Sequence, residues 1–326
     1  MEILFRLSED TVYSLIMVIM KKLICSVVLL LALMNAFSQT TEAEKQLKTH
    51  QADSVSGWKK GGVININFSQ ASLTNWAAGG QSSIAFGGLL SLYANNKTKN
   101  GLWENYLDLG YGTMRQGKDA AWQKTDDRIE LTSKYGLKAT EKLYYAALVN
   151  LRTQMTDGYN YPDTDSKISA FLAPGYFLGA LGMDYQHSGN FTAFLAPLAL
   201  KTTIVQDDSL AAKGEFGVDP GEHIRNEFGG YLRVFLKKDL MENTAIQTKL
   251  ELFSNYLDNP ECIDVNWEVL LAMKVNKFIS ATLSTLLIYD DDTDIGIDSN
   301  NDGIVDEYGP RTQFKEVLAI GLSMNF

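Results

Sequence analysis

From Trp58 onward, apolar and polar residues alternate with a period of two, in runs separated by turn-forming residues. That period marks strands with two unlike faces, because successive side chains of a strand point opposite ways. Residues 63–69 set Ile64, Ile66 and Phe68 against Asn65, Asn67 and Ser69. Similar runs cover 81–94, 102–115, 124–137, 142–155, 223–236, 244–255, 264–275 and 278–289. Residues 168–185 and 190–204 are apolar on both faces, which leaves their parity open. The run 311–326 is the cleanest: Leu318, Ile320, Leu322, Met324 and Phe326 alternate with Val317, Ala319, Gly321, Ser323 and Asn325. A strand ending on an aromatic residue resembles the signal read by the barrel-assembly machinery, which makes that machinery an expected partner.

These twelve runs make an even count, as a bacterial outer-membrane barrel needs if both of its ends lie in the periplasm. The connections sort themselves accordingly. Even-to-odd joins are short, as at 138–142, 187–190, 237–243 and 275–278. Odd-to-even joins include the longer segments 71–80, 156–166, 205–222 and 290–310. A soluble β-sandwich has no reason to sort its loops by length in this way. The predicted fold class is all-β: a transmembrane antiparallel up-and-down β-barrel of about twelve strands. Sheets in hydrocarbon must close on themselves, because each unpaired backbone amide costs several kcal/mol there.

Composition fits this picture. Only 45% of residues are hydrophobic, which suits strands with one apolar face and not a bundle of apolar helices. Tyr and Phe number 15 each, enough for aromatic girdles, with Trp103, Tyr111, Tyr145, Trp267 and Phe326 as candidates. The net charge is −10 with no basic cluster, which argues against nucleic acid as a partner.

The N-terminal region reads as export and processing. Met20-Lys21-Lys22 forms a basic start, Leu23 to Met34 an apolar stretch of 12 residues, and Ala36-Phe37-Ser38 a cleavage site. Residues 1–38 are therefore assigned to an upstream start plus a cleaved signal peptide. Residues 39–57 are assigned to a flexible periplasmic tail and 58–326 to the barrel. Cys25 falls within the signal, so Cys262 is left without an intramolecular disulfide partner. The expected location is the outer membrane of a Gram-negative bacterium. The expected partners there are membrane lipid and lipopolysaccharide, and the expected state is a monomer.

The same parity nominates the residues lining the lumen. They are Glu104, Asp108, Arg128, Glu130, Arg152, Arg225, Glu227, Arg233, Lys249, Glu251 and Glu268, joined by Lys134, Lys274 and Lys315. Eight of these fourteen are basic and six acidic. Such a balance predicts ion pairs across a narrow lumen ahead of a filter of one sign.

The acidic segment 290–310 contains Asp298-x-Asn300-x-Asp302-Gly303, with Asp306 at the ninth position. This matches the first half of a calcium-binding loop. The twelfth position is Gly309 and lacks the usual bidentate Glu. Calcium at Asp298, Asn300, Asp302 and Asp306 is the single cofactor candidate. Its alternative is a solvated acidic loop, which could also bridge lipopolysaccharide phosphates through divalent ions.

Catalysis has little footing. The histidines are His50, His187 and His223, and only His223 lies near a loop end without an evident serine partner.

Trp58-Lys59-Lys60-Gly61-Gly62, then Phe68-Ser69-Gln70-Ala71-Ser72-Leu73-Thr74-Asn75-Trp76 and Gly79-Gly80, resemble the start of a Bacteroidota family. That family is catalogued as domain of unknown function 3078. The resemblance extends over Trp58 to Phe326. It implies an outer-membrane barrel of unassigned activity and supplies no catalytic residues. The expected function is a structural or passive small-solute, porin-like role. A lipid or peptide hydrolase at the outer rim is the alternative.

Overall fold

The computed structural model describes residues 56–73, 81–117, 120–188, 190–274, 279–297 and 305–325. The expected signal peptide, nearly all of the tail, Trp76, Gly79, Gly80, Asp298, Asn300, Asp302 and Phe326 lie outside these residues.

Twelve long strands close into one antiparallel barrel. They are β1 (Gly57–Ala71), β2 (Ser83–Lys97), β3 (Gly101–Gln116), β4 (Gln123–Lys138), β5 (Leu143–Thr153) and β8 (Gly175–Ser188). The others are β9 (Phe191–Ile204), β10 (Ile224–Met241), β11 (Thr244–Asn255), β12 (Ile263–Lys274), β13 (Ile279–Tyr289) and β16 (Gln313–Asn325). The remaining strands are two small hairpins in long loops: β6 (Gly158–Tyr159) with β7 (Lys167–Ser169), and β14 (Asp294–Ile297) with β15 (Glu307–Pro310). Each barrel strand pairs with its neighbour in the chain, and β1 meets β16 to close the ring. No described helix is long and apolar enough to cross a membrane; the strands do the crossing.

The faces are inverted relative to a soluble barrel. Leu131, Tyr135, Tyr145, Leu195, Leu318 and Leu322 stand exposed on the outside, while Glu104, Glu130, Lys134, Asp184, Glu227 and Glu251 are buried inside. An exterior of bare Leu and Tyr is stable only against lipid, and charged side chains survive inside only when paired. This is the build of an outer-membrane β-barrel. The girdle candidates Trp103, Tyr111, Tyr145 and Trp267 all lie on the exposed outer face.

One expectation needs correction. The run 168–185 is not one strand. Residues 167–169 form β7, Ala170 and Ala173 bridge to each other, and β8 begins at Gly175. The turn is as apolar as the strand, so hydropathy does not reveal it. The long loop 205–222 holds a helical turn, α1 (Asp208–Ala211), and a 3-10 turn at Glu215–Gly217.

The open parity of 190–204 has a physical source. Tyr231 pairs with Ala196 and Gly229 with Ala199, so β9 carries one extra residue there. Phe194 and Ala196 point inward before this bulge and Ala199 and Thr203 after it, while Leu195, Leu198 and Leu200 face out. A bulge moves the alternation by one residue. Pro197, which has no N–H to give to a ladder, sits in it.

Candidate functional site: the lumen

All eleven lumen candidates lie on the inner face, in three tiers. At the short-turn end, Lys134 of β4 sits between Glu104 of β3 at 2.9 Å and Asp184 of β8 at 2.7 Å. Glu104 and Asp184 are almost wholly buried, at 0% and 1% exposure. Gln186 donates a further hydrogen bond to Asp184.

The middle tier spans the lumen. Arg152 of β5 reaches Glu251 of β11 at 3.1 Å and Glu130 of β4 at 3.4 Å. Lys249 of β11 reaches Glu130 at 3.3 Å and Glu268 of β12 at 2.8 Å. Arg233 lies 3.8 Å from Glu251, which also accepts a hydrogen bond from the Tyr231 hydroxyl at 2.6 Å. Arg128 lies 3.9 Å from Glu268, and Asp108 accepts from the Ser91 hydroxyl. Asn150 donates to Glu130 and Thr132. Charges taken out of water are tolerable when each has an opposite partner and its remaining lone pairs are hydrogen-bonded.

The third tier is at the long-loop end. Lys201 of β9 gathers Asp264 at 2.6 Å, Asp290 at 3.0 Å and Glu227 at 3.3 Å. Arg225 lies 3.4 Å from Glu227, pairs with Asp292, and donates to the Gly217 carbonyl. Lys315 of β16 pairs with Asp126 of β4. The sequence reading missed Lys201 and Asp184 because they sit on the two strands of open parity. It missed Asp290 and Asp292 because they begin a segment that reads as solvated loop. Asp264 shares the inward parity of Asn266, so alternation alone could have found it.

Between the tiers, one wall carries an apolar patch: Ala146, Leu148, Ala180, Phe194, Ala196, Ala199, Tyr231 and Phe253. It fills the side formed by β5, β8, β9, β10 and β11. The opposite side, formed by β1, β2, β13 and β16, bears small or short residues such as Ala85, Gly87, Thr282, Ser284 and Ala319. A cavity of about 570 Å³ remains against it, lined also by Asn65, Asn67, Arg128, Glu268, Lys315 and Val317, and reaches across the mouth to Arg152, Thr153 and Tyr176. Toward the short-turn end the next inward residues, Val63, Ser91 and Ser280, are buried. The cavity therefore narrows to packed side chains on that side.

Two long loops roof part of the mouth. Ala170, Ala173, Val205, Leu210, Ala211 and Val218 pack into one apolar knot with Phe216 against it. Asp207 caps the helical turn, accepting from the Ser209 and Leu210 amides. Its pKa is pulled down to about 2 by the Ser209 hydroxyl and then by the Lys167 ammonium. Lys167 is raised in turn, first by its hydrogen bond to Asp207 and then by that to Asp157. Outside the strands, the Cys262 thiol is pushed up by a hydrogen bond to Asp291.

His223 does not assemble a catalytic site with the described residues. Its Nδ1 lies 2.7 Å from the Val205 carbonyl, a hydrogen bond to backbone. Its Nε2 lies 3.6 Å from Asp208, whose side chain is almost fully exposed. The neighbouring Ser209 hydroxyl donates to Asp207 instead. Asp306, of the calcium candidates, is exposed just before β15.

No curated protein matches the chain in sequence. Solved structures similar to it include the translocator domain of the autotransporter NalP from Neisseria meningitidis. That likeness has 10% identity, covers 87% of this chain and 92% of that one, and has a TM-score of 0.33. An outer-membrane channel from Pseudomonas putida F1 is 13% identical over 85% of this chain and 97% of that one, with a TM-score of 0.40. The NanC porin is 7% identical over 81% and 97%, with a TM-score of 0.35. Residues 68–159, a shorter stretch than the resemblance noted from Trp58 to Phe326, match the model of the family described as Protein of unknown function (DUF3078).

Proposed function

We propose that this protein is a bacterial outer-membrane barrel with a porin-like but restricted passive role. The lumen would admit ions or the smallest solutes and hold its wall rigid. One observation carries the reading. Arg152 and Lys249 cross the lumen between the β4–β5 wall and β11, so the middle of the barrel is occupied by paired side chains. Near-balanced charge of this kind favours neither cations nor anions. The eleven sequence-nominated residues then serve as struts, and their removal would widen the passage.

Planar bilayers test this directly. Purified wild-type protein should give small or rare conductance steps. The double variant Arg152→Ala/Lys249→Ala should give larger and longer openings with weak ion selectivity. Large, stable steps from the wild type, unchanged in the double variant, would sink the reading.

A further inference from the structure

The barrel is closed by unequal seams. β1 pairs with β2 along its full length, from Gly57↔Lys97 to Ala71↔Ser83. It pairs with β16 over five residues only, from Val63↔Asn325 to Asn67↔Gly321. Beyond that point both strands continue. Phe68–Ala71 stays bonded to β2, and β16 stays bonded to β13 as far as Gln313↔Ile288. Among the described residues, the facing edges of Phe68–Ala71 and Gln313–Ile320 form no ladder with each other. The result is a notch in the hydrogen-bonded wall on the long-loop side of Asn67↔Gly321.

Two further observations place this notch. The inward residues beside it, Asn67, Val317 and Ala319, line the 570 Å³ cavity. The notch thus opens into the unfilled half of the lumen. The outward residues beside it are Phe68, Leu318 and Ile320, exposed by 54%, 60% and 51%. Their polar successors toward the mouth are Gln70 on β1 and Glu316 on β16. The unpaired stretch therefore begins beside exposed apolar side chains and passes the polar Gln70 and Glu316, with exposed Phe314 beyond them on β16. Apolar residues stand on both sides of the notch, Leu318 and Ile320 outside and Val317, Ala319 and Leu286 inside, with Asn67, Thr282 and Ser284 among the inner ones.

We propose that this notch is a side port through which the acyl chain of a lipid in the surrounding leaflet enters the chamber. A hydrocarbon chain gains by leaving no gap against Val317, Ala319 and Leu286. The lipid's polar head group stays outside, where Gln70 and Glu316 provide hydrogen-bonding and charged partners, while the Lys315–Asp126 pair faces the chamber from inside the mouth. Unpaired peptide groups in hydrocarbon cost several kcal/mol each, so an edge left open at this depth is tolerable beside a polar head or a wet chamber. The proposal concerns lateral access and goes beyond the conduction reading; a lumen that passes no ions could still hold an acyl chain.

The test uses the full-length protein in vesicles of phosphatidylcholine and phosphatidylglycerol with radiolabelled acyl chains. A photoreactive benzoylphenylalanine replaces Leu318, which faces out, or Val317, which faces in. Only samples showing heat-modifiable migration are scored, so misfolded protein does not enter the comparison. Lipid adducts are expected at both positions. Adding Ala319→Trp, which fills the port, should abolish the adduct at 317 and leave that at 318 intact; Ala319→Phe replaces it should the larger ring prevent folding. No lipid adduct at 317 overturns the proposal. An adduct at 317 that ignores the plug points to access through the mouth and overturns it as well. An adduct to protein would identify the edge as a strand-docking site, again against the proposal.

Discussion

The two halves of the lumen are built on opposite principles. The half walled by β5 and β8–β11 is filled by Leu148, Phe194, Tyr231 and Phe253 and laced with paired charges. The side walled by β1, β2, β13 and β16 carries Ala85, Gly87, Thr282, Ser284 and Ala319 beside Leu89, Leu286 and Val317, and the chamber lies against it. Both halves are antiparallel sheet with exposed apolar residues outside, such as Leu195 and Leu198 on one and Phe68 and Leu318 on the other. What sets the filled side apart is Leu148, Phe194, Tyr231 and Phe253 turned inward among its alanines. Closure of the sheet sets where a lumen exists, and inward residue size decides how much of it remains.

Substitutions can break this contrast. The largest effect is expected at Lys134→Met, which removes the ammonium shared by the buried Glu104 and Asp184 carboxylates. The loss should be about 4 kcal/mol, the range seen when one partner of a buried pair is removed, read from urea unfolding in lipid vesicles. Phe194→Ala should cost about 3 kcal/mol by opening a void in the filled half. Asp207→Ala should cost about 1 kcal/mol as a lost helix cap, read as faster proteolysis within 205–223. Val317→Ser, in the chamber half, should stay within about 0.5 kcal/mol, as substitutions at accessible sites do. If Val317→Ser destabilises as much as Phe194→Ala, the two halves are packed alike and the contrast fails.

Acid sharpens the comparison at the roof. Asp207 has a folded pKa near 2, below the ordinary aspartate value of about 3.9. A carboxylate lowered by folding stabilises above its unfolded pKa and loses that contribution as pH falls through the folded value. Protease resistance of the 205–223 roof should therefore hold down to about pH 4 and decline toward pH 2. A decline beginning near neutrality would point to a different group.

Much of the wall was legible in the sequence. The run predicted over 244–255 coincides with β11, and the runs at 102–115 and 124–137 differ from β3 and β4 by one residue at each end. These strands alternate strictly, so one look at parity assigns both faces. The same alternation nominated Glu104, Glu130, Arg152 and Glu251. It did not reveal which of them meet, because pairing across a lumen depends on strands that are remote in the chain. Lys249 and Glu130 are 119 residues apart. Alternation also failed where the inside is apolar. On β8 and β9 the inward Ala180, Phe194 and Ala196 match the outward Leu in hydropathy, and the bulge after Ala196 then exchanges the faces. The seam was hidden for a third reason. Pattern shows which faces a strand has, whereas the extent of pairing between β1 and β16 follows from stagger around the ring.

The ties across the middle also have a mechanical side. Arg152 and Lys249 join strands four and five places apart around a ring of twelve. A ring braced along one diameter cannot flatten across it without stretching ion pairs. Squeezed by lateral pressure in a crowded bilayer, such a cylinder would yield instead at the β1–β16 seam, held by five paired residues and, at the mouth, by the Lys315–Asp126 tie. The stiffness of the shell is then directional, and the compliant direction is the one containing the notch.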